Sequence, residues 1–374
     1  MPATKKTVLK PPSPTNPRPK HALMAEALDR EVRQMPPGTP ISPVLELMER
    51  FGVSQGTVVH ALRHLRTRGL ITKIPGKKRL VAAGRSKNHD TVLSVLALCP
   101  NWSSPDYNTM LQCLADEARR QRFSIETVHY GTEWGAGGTA NLEPAIAAHD
   151  AVVILPSSLP NNLAALLKQS ATPAVMLFEE GLADGMMCVE DNDEAAGRLA
   201  TEYLLKLGHR KIAAFQSEPP QRRMNNRLVG WKQALVAAGE KHPERLIIDG
   251  SVKPGFDSIV GSYEKLRRLL YQKGNQLDAT AIFCLHWTGA LGVLRALKEV
   301  GIQVPHDVSV IAHAGENRLT EFTNPALTVV RGDPEAAARE ALGLLKSACL
   351  GDTPAERTIR IGQSIVERES TRRL

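Results

Sequence analysis

Between residues 91 and 374 the sequence alternates short runs rich in Val, Ile and Leu with longer stretches of helical periodicity, and this alternation leaves few folds open. Strands are expected at Thr91 to Cys99, Ser124 to His129, Ala151 to Leu155, Ala174 to Phe178, Lys211 to Gln216, Arg245 to Ile248, Ala281 to Leu285 and Val308 to His313. Helices such as Asn108 to Arg122, Asp193 to Leu207, Asn225 to Ala238, Ser258 to Lys273 and Thr288 to Val300 fall between them. Continuous apolar strands separated by helices imply an α/β unit of parallel sheets covered on both faces, and the tract is long enough for two. Two facing sheets form two lobes around a cleft, where open α/β sheets bind ligands, and such a cleft can close by hinge motion.

The first quarter of the chain is of another kind. Residues 1–89 carry 17 Lys and Arg against 5 Asp and Glu, leaving 30 against 34 for the remainder of the 374 residues. A small basic unit on a mildly acidic body points to a polyanionic partner, with nucleic acid ahead of an anionic membrane surface. No run approaches the roughly 18 apolar residues of a membrane span. The Lys- and Pro-rich start has no apolar segment of the kind a secretory signal needs. Five scattered cysteines without Cys-x-x-Cys spacing read as reduced thiols in a cytoplasmic protein.

Residues 1–20 hold six prolines and five Lys or Arg and are expected to be a disordered tail. From residue 21 to 84 the pattern is three helices and a hairpin. The first helix carries Leu23, Leu28 and Val32 and ends before Pro36-Pro37-Gly38. The second runs from Pro43 to Arg50 with Ser42 as its cap, and Phe51-Gly52-Val53 makes a turn. The third is capped by Ser54 and runs to about Arg68. Two short strands then flank Pro75-Gly76-Lys77-Lys78. This is the pattern of a winged helix-turn-helix, whose third helix enters the major groove.

Pro37-Gly38-Thr39, Glu49-Arg50-Phe51-Gly52-Val53-Ser54, Gly56-Thr57-Val58, Ala61-Leu62, Gly69-Leu70-Ile71 and Pro75-Gly76 resemble the GntR-type winged helix. The resemblance implies binding of a double-stranded DNA operator through Ser54, Gln55, Thr57 and His60 on the third helix and Lys77, Lys78 and Arg79 on the wing. Leu45, Gln55 and Val59 stand where that family usually has Arg, so a different operator, or more reliance on wing and tail, is expected. Gln suits adenine where Arg prefers guanine.

After a polar linker at residues 85–90, residues 91–374 resemble the periplasmic-binding-protein-like effector domain of LacI/GalR-type repressors. The shared residues include Pro100-Asn101, Asp191-Asn192, Ala196-Gly197, Leu207-Gly208-His209-Arg210, Arg227 with Gly230-Trp231, Ala290-Leu291-Gly292, Pro325-Ala326-Leu327-Thr328 and Val366-Glu367-Arg368-Glu369-Ser370. The resemblance implies a dimerising domain that takes a small-molecule effector. Arg227 matches the family's ligand-reaching Arg, with a structural ion pair as the alternative. His286-Trp287 and His313-Ala314-Gly315 replace the family's usual Asn-Asp and Asp pairs, which disfavours a plain sugar and favours an anionic or aromatic ligand. Because histidines titrate near neutrality, binding of an anionic effector is expected to tighten as pH falls from about 8 to 6. Asn101, Trp102, Asp106, Tyr107, Ser157 and Ser158 follow strands of the other lobe and complete the expected lining.

Gly135-Ala136-Gly137-Gly138 lacks the spacing of a phosphate-cradling loop, and no nucleophile elbow or His-Glu-x-x-His is present. The expectation is therefore a homodimeric, ligand-controlled DNA-binding regulator, not an enzyme, with no metal, cofactor or membrane partner. The alternatives are a DNA-binding regulator whose cleft no longer takes a ligand, and a solute-binding protein.

Overall fold

A computed structural model describes residues 24, 27–29, 31–32, 34–36, 38–67, 69–73, 80–82, 92–101, 104–130, 142–155, 161–170, 172–178, 186–253, 256–314, 318–350 and 356–374. The tail, the linker, Lys77, Lys78, Arg79, Trp102, Gly135 to Gly138, Ser157, Ser158 and Gly315 lie outside the described residues.

In the N-terminal unit, helix α1 (Val44–Phe51) follows Pro43, whose ψ of 153° keeps it outside the helix. Pro43 is thus the cap position, and Ser42 makes no cap, contrary to expectation. Gly52 closes α1 in the left-handed region at φ 61°, where a residue without Cβ is least strained. Helix α2 (Gln55–Thr67) begins at Ser54, whose Oγ accepts the Thr57 N–H at 3.4 Å. Strands β1 (Ile71–Lys73) and β2 (Leu80–Ala82) pair antiparallel with Ile71 opposite Ala82. Met24, Leu28 and Val32 pack with Leu47, Val58, Ala61 and Leu65 into one small core, so helical residues near 24–32 complete the unit.

The body comprises two lobes, each built on a six-stranded sheet. Lobe 1 holds β3 (Leu93–Pro100), α3 (Pro105–Gln121), β4 (Phe123–Tyr130), α4 (Leu142–Ala148), β5 (Ala151–Ile154), α5 (Asn161–Ser170), β6 (Ala174–Leu177) and β7 (Met187–Asp191). Lobe 2 holds α6 (Asp193–Lys206), β8 (Ile212–Gln216), α7 (Arg222–Ala237), β9 (Ile247–Asp249), α8 (Ser258–Gln272), β10 (Ala281–Cys284), α9 (Trp287–Glu299), β11 (Ser309–Ala314) and β12 (Thr328–Arg331). The chain then returns to lobe 1 through α10 (Pro334–Leu350) and β13 (Thr358–Ile361) and ends in lobe 2 with β14 (Ser364–Val366). The lobe 1 sheet is parallel throughout, in the order β13-β7-β6-β5-β3-β4. The lobe 2 sheet has the order β14-β12-β11-β10-β8-β9, parallel except where β14 pairs antiparallel with β12. The backbone therefore crosses between lobes three times, near residues 192, 332 and 362.

Strands β7, β12, β13 and β14 and helices α4, α5 and α10 were not among the elements expected. Pro243 to Leu246 forms a 3-10 turn where a strand was expected to begin, because Pro243 supplies no N–H to a sheet ladder. No described helix is long and apolar enough to cross a membrane.

Helices α6 and α7 meet through glycine. A Cβ on Gly197 would lie 1.9 Å from the Arg227 carbonyl oxygen, and one on Gly230 would lie 1.9 Å from that of Glu194. The two backbones touch, which explains the Ala-Gly and Gly-Trp motifs physically. Gly230→Ala and Gly197→Ala should each destabilise the body by about 1–3 kcal/mol or more through forced separation of the helices, read as a lowered urea midpoint.

Candidate functional site: a polar network where the lobes join

The carboxyl ends of the two sheets face each other, and their flanking helix starts supply the polar residues between them. Helix α3 starts in lobe 1 with Ser104 as cap and Pro105 at its first turn, which brings Asp106 toward lobe 2. Helix α9 starts in lobe 2 immediately after β10, which brings His286 and Trp287 toward lobe 1. Trp287 Nε1 donates to both Asp106 carboxylate oxygens at 3.2 Å, and His286 Nε2 lies 3.3 Å from Asp106 Oδ2. His286 Nδ1 is 2.7 Å from Thr288 Oγ1, which itself donates to Glu218 Oε1 at 2.9 Å. Burial opposes ionisation of Asp106, but the His286 and Trp287 contacts outweigh it and hold the carboxyl below its usual range. Three of the expected lining residues thus bind one another across the lobes.

The second part of the network lies at the first crossing. Asn192 caps α6 through the Ala195 N–H, which sets Asp193 at the first helical position. Asp193 Oδ1 accepts from Arg227 Nε at 2.7 Å and its Oδ2 from Arg223 Nε at 3.2 Å. Arg223 Nη2 also donates to Asp191 Oδ2 at 2.9 Å, and its guanidinium stands 5.1 Å from the Phe178 ring centre. Beside it, Glu190 accepts from Arg222 and from Arg360.

Arg227 is fully enclosed, 1% exposed, and its Nη1 donates to the Leu285 carbonyl at 2.6 Å. Its Nε takes the ion pair that the sequence left as the alternative, with Asp193, while Nη1 takes a backbone carbonyl; the enclosed guanidinium does not stand open toward a ligand, which corrects the expected reach. The physical reason is the glycine contact, which draws α7 onto α6 and sets Arg227 against Asp193. Arg223 is the more accessible cation. Nothing in the spacing singled it out, although Arg222-Arg223 one turn before Arg227 places both on the lobe-facing start of α7.

His313, on β11, is 2% exposed. Gln363, at the third crossing, donates Nε2 to His313 Nε2 at 3.1 Å, which leaves the ring proton on Nδ1. Burial first, then the charges of Arg227, Arg223 and His286, hold its pKa well below the ordinary value. His313 is therefore neutral at neutral pH, which corrects the expectation that it gains charge between about pH 8 and 6. Burial and Asp193 push the Asp191 carboxyl up, against the pull of Arg223 and Arg227. Donor atoms of Asp191, Asp193 and His313 lie within 4.8 Å of one another, a spacing a metal could use. Arg223 and Arg227 already bond those carboxylates and neutralise them, so the donor set does not fit a cation.

Among the remaining expected lining residues, Asn101 is exposed with its backbone N–H on the Tyr130 carbonyl, and Tyr107 is half-buried against the lobe 1 core. On the N-terminal unit, Ser54 and Thr57 hydroxyls lie 3.0 Å apart and serve the cap, so Gln55 is the freely exposed side chain and His60 is half-buried.

Two outcomes test this network. Asp193→Asn strands a buried guanidinium and should cost about 3–5 kcal/mol in denaturant unfolding. The unfolded chain regains an ordinary histidine pKa of about 6.5, so below that pH it takes up a proton that native His313 refuses. Stability should therefore fall as pH drops from about 6.5 to 5, and His313→Asn should flatten that slope.

Residues 201–371 match the family model described as a periplasmic binding protein-like domain. The HTH-type transcriptional repressor PurR of Vibrio atlanticus is 30% identical over 229 residues, covering 60% of this chain and 65% of that protein. In that match the chain spans just under two thirds of the relative's length. The PurR repressor of Erwinia tasmaniensis is 25% identical over 343 residues, covering 88% of this chain and 97% of that protein. The crystal structure of the transcription regulator CcpA of Lactococcus lactis is similar in fold, with a TM-score of 0.64 at 22% identity, covering 75% of this chain and 100% of that one. Beyond its N-terminal unit, this chain thus has the two-lobed, parallel-sheet architecture of the periplasmic-binding-protein-like domains.

Proposed function

We propose that this chain is a cytoplasmic, homodimeric transcription repressor that reads a DNA operator through a GntR-type winged helix and responds to a small molecule held between its lobes. The observation that carries the reading is the joining of two units. One is a strongly basic unit whose helix α2 leaves its first turn exposed beside an antiparallel hairpin. The other is a two-lobed body whose facing helix starts carry a dense polar network. Similarity to curated repressors across most of the chain supports it. The reading gives the chain no catalytic role. Gln55 is the leading base-contacting side chain, with Ser54, Thr57 and His60 around it, and Lys77, Lys78 and Arg79 take phosphates.

In the cleft, Arg223 replaces Arg227 as the cation offered to a ligand, with Asp106, His286 and Trp287 as groups a ligand must displace or join and with Asn101 and Tyr107 on the same lobe as Asp106; Trp102 and Ser157 stay candidates from the sequence alone. A second reading has its own support. The cross-lobe bonds of Asp106 to Trp287 and His286 and the enclosure of Arg227 against Asp193 are what a cleft closed on itself, with no effector, would have. Thermal shift against sugars, sugar acids, phosphates and nucleosides separates the two: stabilisation by one class that Arg223→Ala removes supports the effector reading, and no stabilisation supports the closed cleft.

Exposed Phe256, Val260, Leu319 and Phe322 on lobe 2 supply apolar surface for the dimer. Light scattering of the full chain should give twice the 40.8 kDa chain mass, and Phe256→Asp with Phe322→Asp should shift it toward the monomer. Affinity for a duplex should fall steeply as salt rises from about 50 to 200 mM, since each neutralised phosphate releases counterions. Replacing Lys77, Lys78 and Arg79 with Ala should weaken binding to all duplex sequences alike and make the salt slope shallower. An unchanged slope would remove the wing from the interface.

A further inference from the structure

The end of lobe 1 away from the cleft carries a buried ionic contact with the N-terminal unit. Helix α2 contacts α10, and its last turns present two arginines, three residues apart on one face, to lobe 1. Arg66 Nη2 donates to Asp150 Oδ1 at 2.9 Å. Arg63 Nη1 donates to Thr172 Oγ1 at 2.9 Å, and its Nε lies 4.0 Å from the same Asp150 oxygen. The Asp150 side chain is 3% exposed and that of Arg63 is 9% exposed, while Arg66, 37% exposed, reaches Asp150 from the rim of the contact. Its lobe 1 side is also prearranged: Asp150 Oδ2 accepts from both the Ser94 N–H and Oγ, and the Asp150 carbonyl accepts from Cys349 Sγ at 3.4 Å. Surface ion pairs on mobile side chains have none of this support.

We propose that this end of lobe 1 is a docking face for the chain's own N-terminal unit, fastened by Arg63 and Arg66 to Asp150 and Thr172, and that the docked orientation is the DNA-competent one. The exposed start of α2 carries the competence: Ser54, Gln55 and Gly56 remain open while the last turns are held. The docking residues also sit where they can report on the cleft. Asp150 immediately precedes β5 and Thr172 shortly precedes β6, strands of four residues each, about 13 Å long. β6 ends at Leu177, and the next residue is Phe178, the ring under Arg223. One short, stiff strand thus separates the Arg63 contact from the cleft network, and the polar linker is not the only join between the units.

The proposal rests on the repressor reading only for what the docked unit binds, and its test separates the two. Full-length protein is compared with the Arg63→Met/Arg66→Met double variant, neither residue being part of the N-terminal core, and with Asp150→Asn, which breaks the contact from the other side. Two measurements are made without DNA. Undocking should raise the radius of gyration in X-ray scattering and speed alkylation of Cys349 by N-ethylmaleimide about tenfold, mapped by mass spectrometry, while Cys284, buried in lobe 2, keeps its wild-type rate. An unchanged radius and an unchanged Cys349 rate in the folded arginine variant would overturn the docking face. If Asp150→Asn fails to fold, the arginine variant alone decides. Binding to a mixed-sequence 30-base-pair duplex is then measured. Wild-type protein that undocks on binding, with Cys349 exposed in the complex, overturns the claim that the docked form is the competent one. Failure of any form to bind duplex removes the DNA reading and leaves the docking face standing.

Discussion

The contact between α6 and α7 organises the body. Two glycines let the helix backbones touch, and only at that separation do Asp193 and Arg227 meet as a buried pair. Asp193 stands at the first position after the first crossing between the lobes, so the pair anchors the hinge from the lobe 2 side. Arg223, one turn before Arg227, then spans Asp193 and Asp191 and touches Phe178 of lobe 1. A packing constraint is thereby turned into an electrostatic link across the hinge.

The same constraint decides which charges a ligand can meet. A guanidinium with its Nε on a carboxylate and an Nη on a backbone carbonyl has little left to offer, and a buried histidine held neutral cannot attract an anion. In the described part of the cleft, Arg223 and Arg227 are set against Asp191 and Asp193, and His286 lies between Asp106 and Glu218. The link from Arg223 through Phe178 and β6 to Thr172 gives the hinge a physical route toward the N-terminal unit, in which closure and docking act on the two ends of one strand.

Much of this was legible in the chain. The alternation of apolar runs with helical stretches carried the two parallel sheets, because a strand buried on both faces must be apolar throughout. The charge partition carried the division into a basic unit and an acidic body, since net charge is a property of composition alone. The N-terminal helices were readable from Gly52 and Ser54, residues whose local conformations close one helix and open the next. Strands β13 and β14 escaped notice because Thr358, Arg360 and Ser364 interrupt their apolar pattern at sheet edges, where one side need not be buried. Helix α10 escaped because small residues dominate its packed face, and Ala carries a weak hydrophobic signal.

The sequence by itself determined the layers, the order of the units and the residue types available at the ends of the strands, because these follow from local periodicity and composition. Only the tertiary structure decided which charges are spent on one another. Asp193 and Arg227 are 34 positions apart, Asp106 and Trp287 are 181 apart, and Arg66 and Asp150 are 84 apart. Whether such groups pair or face a ligand depends on distances of about one ångström set by helix packing, and no local pattern encodes them.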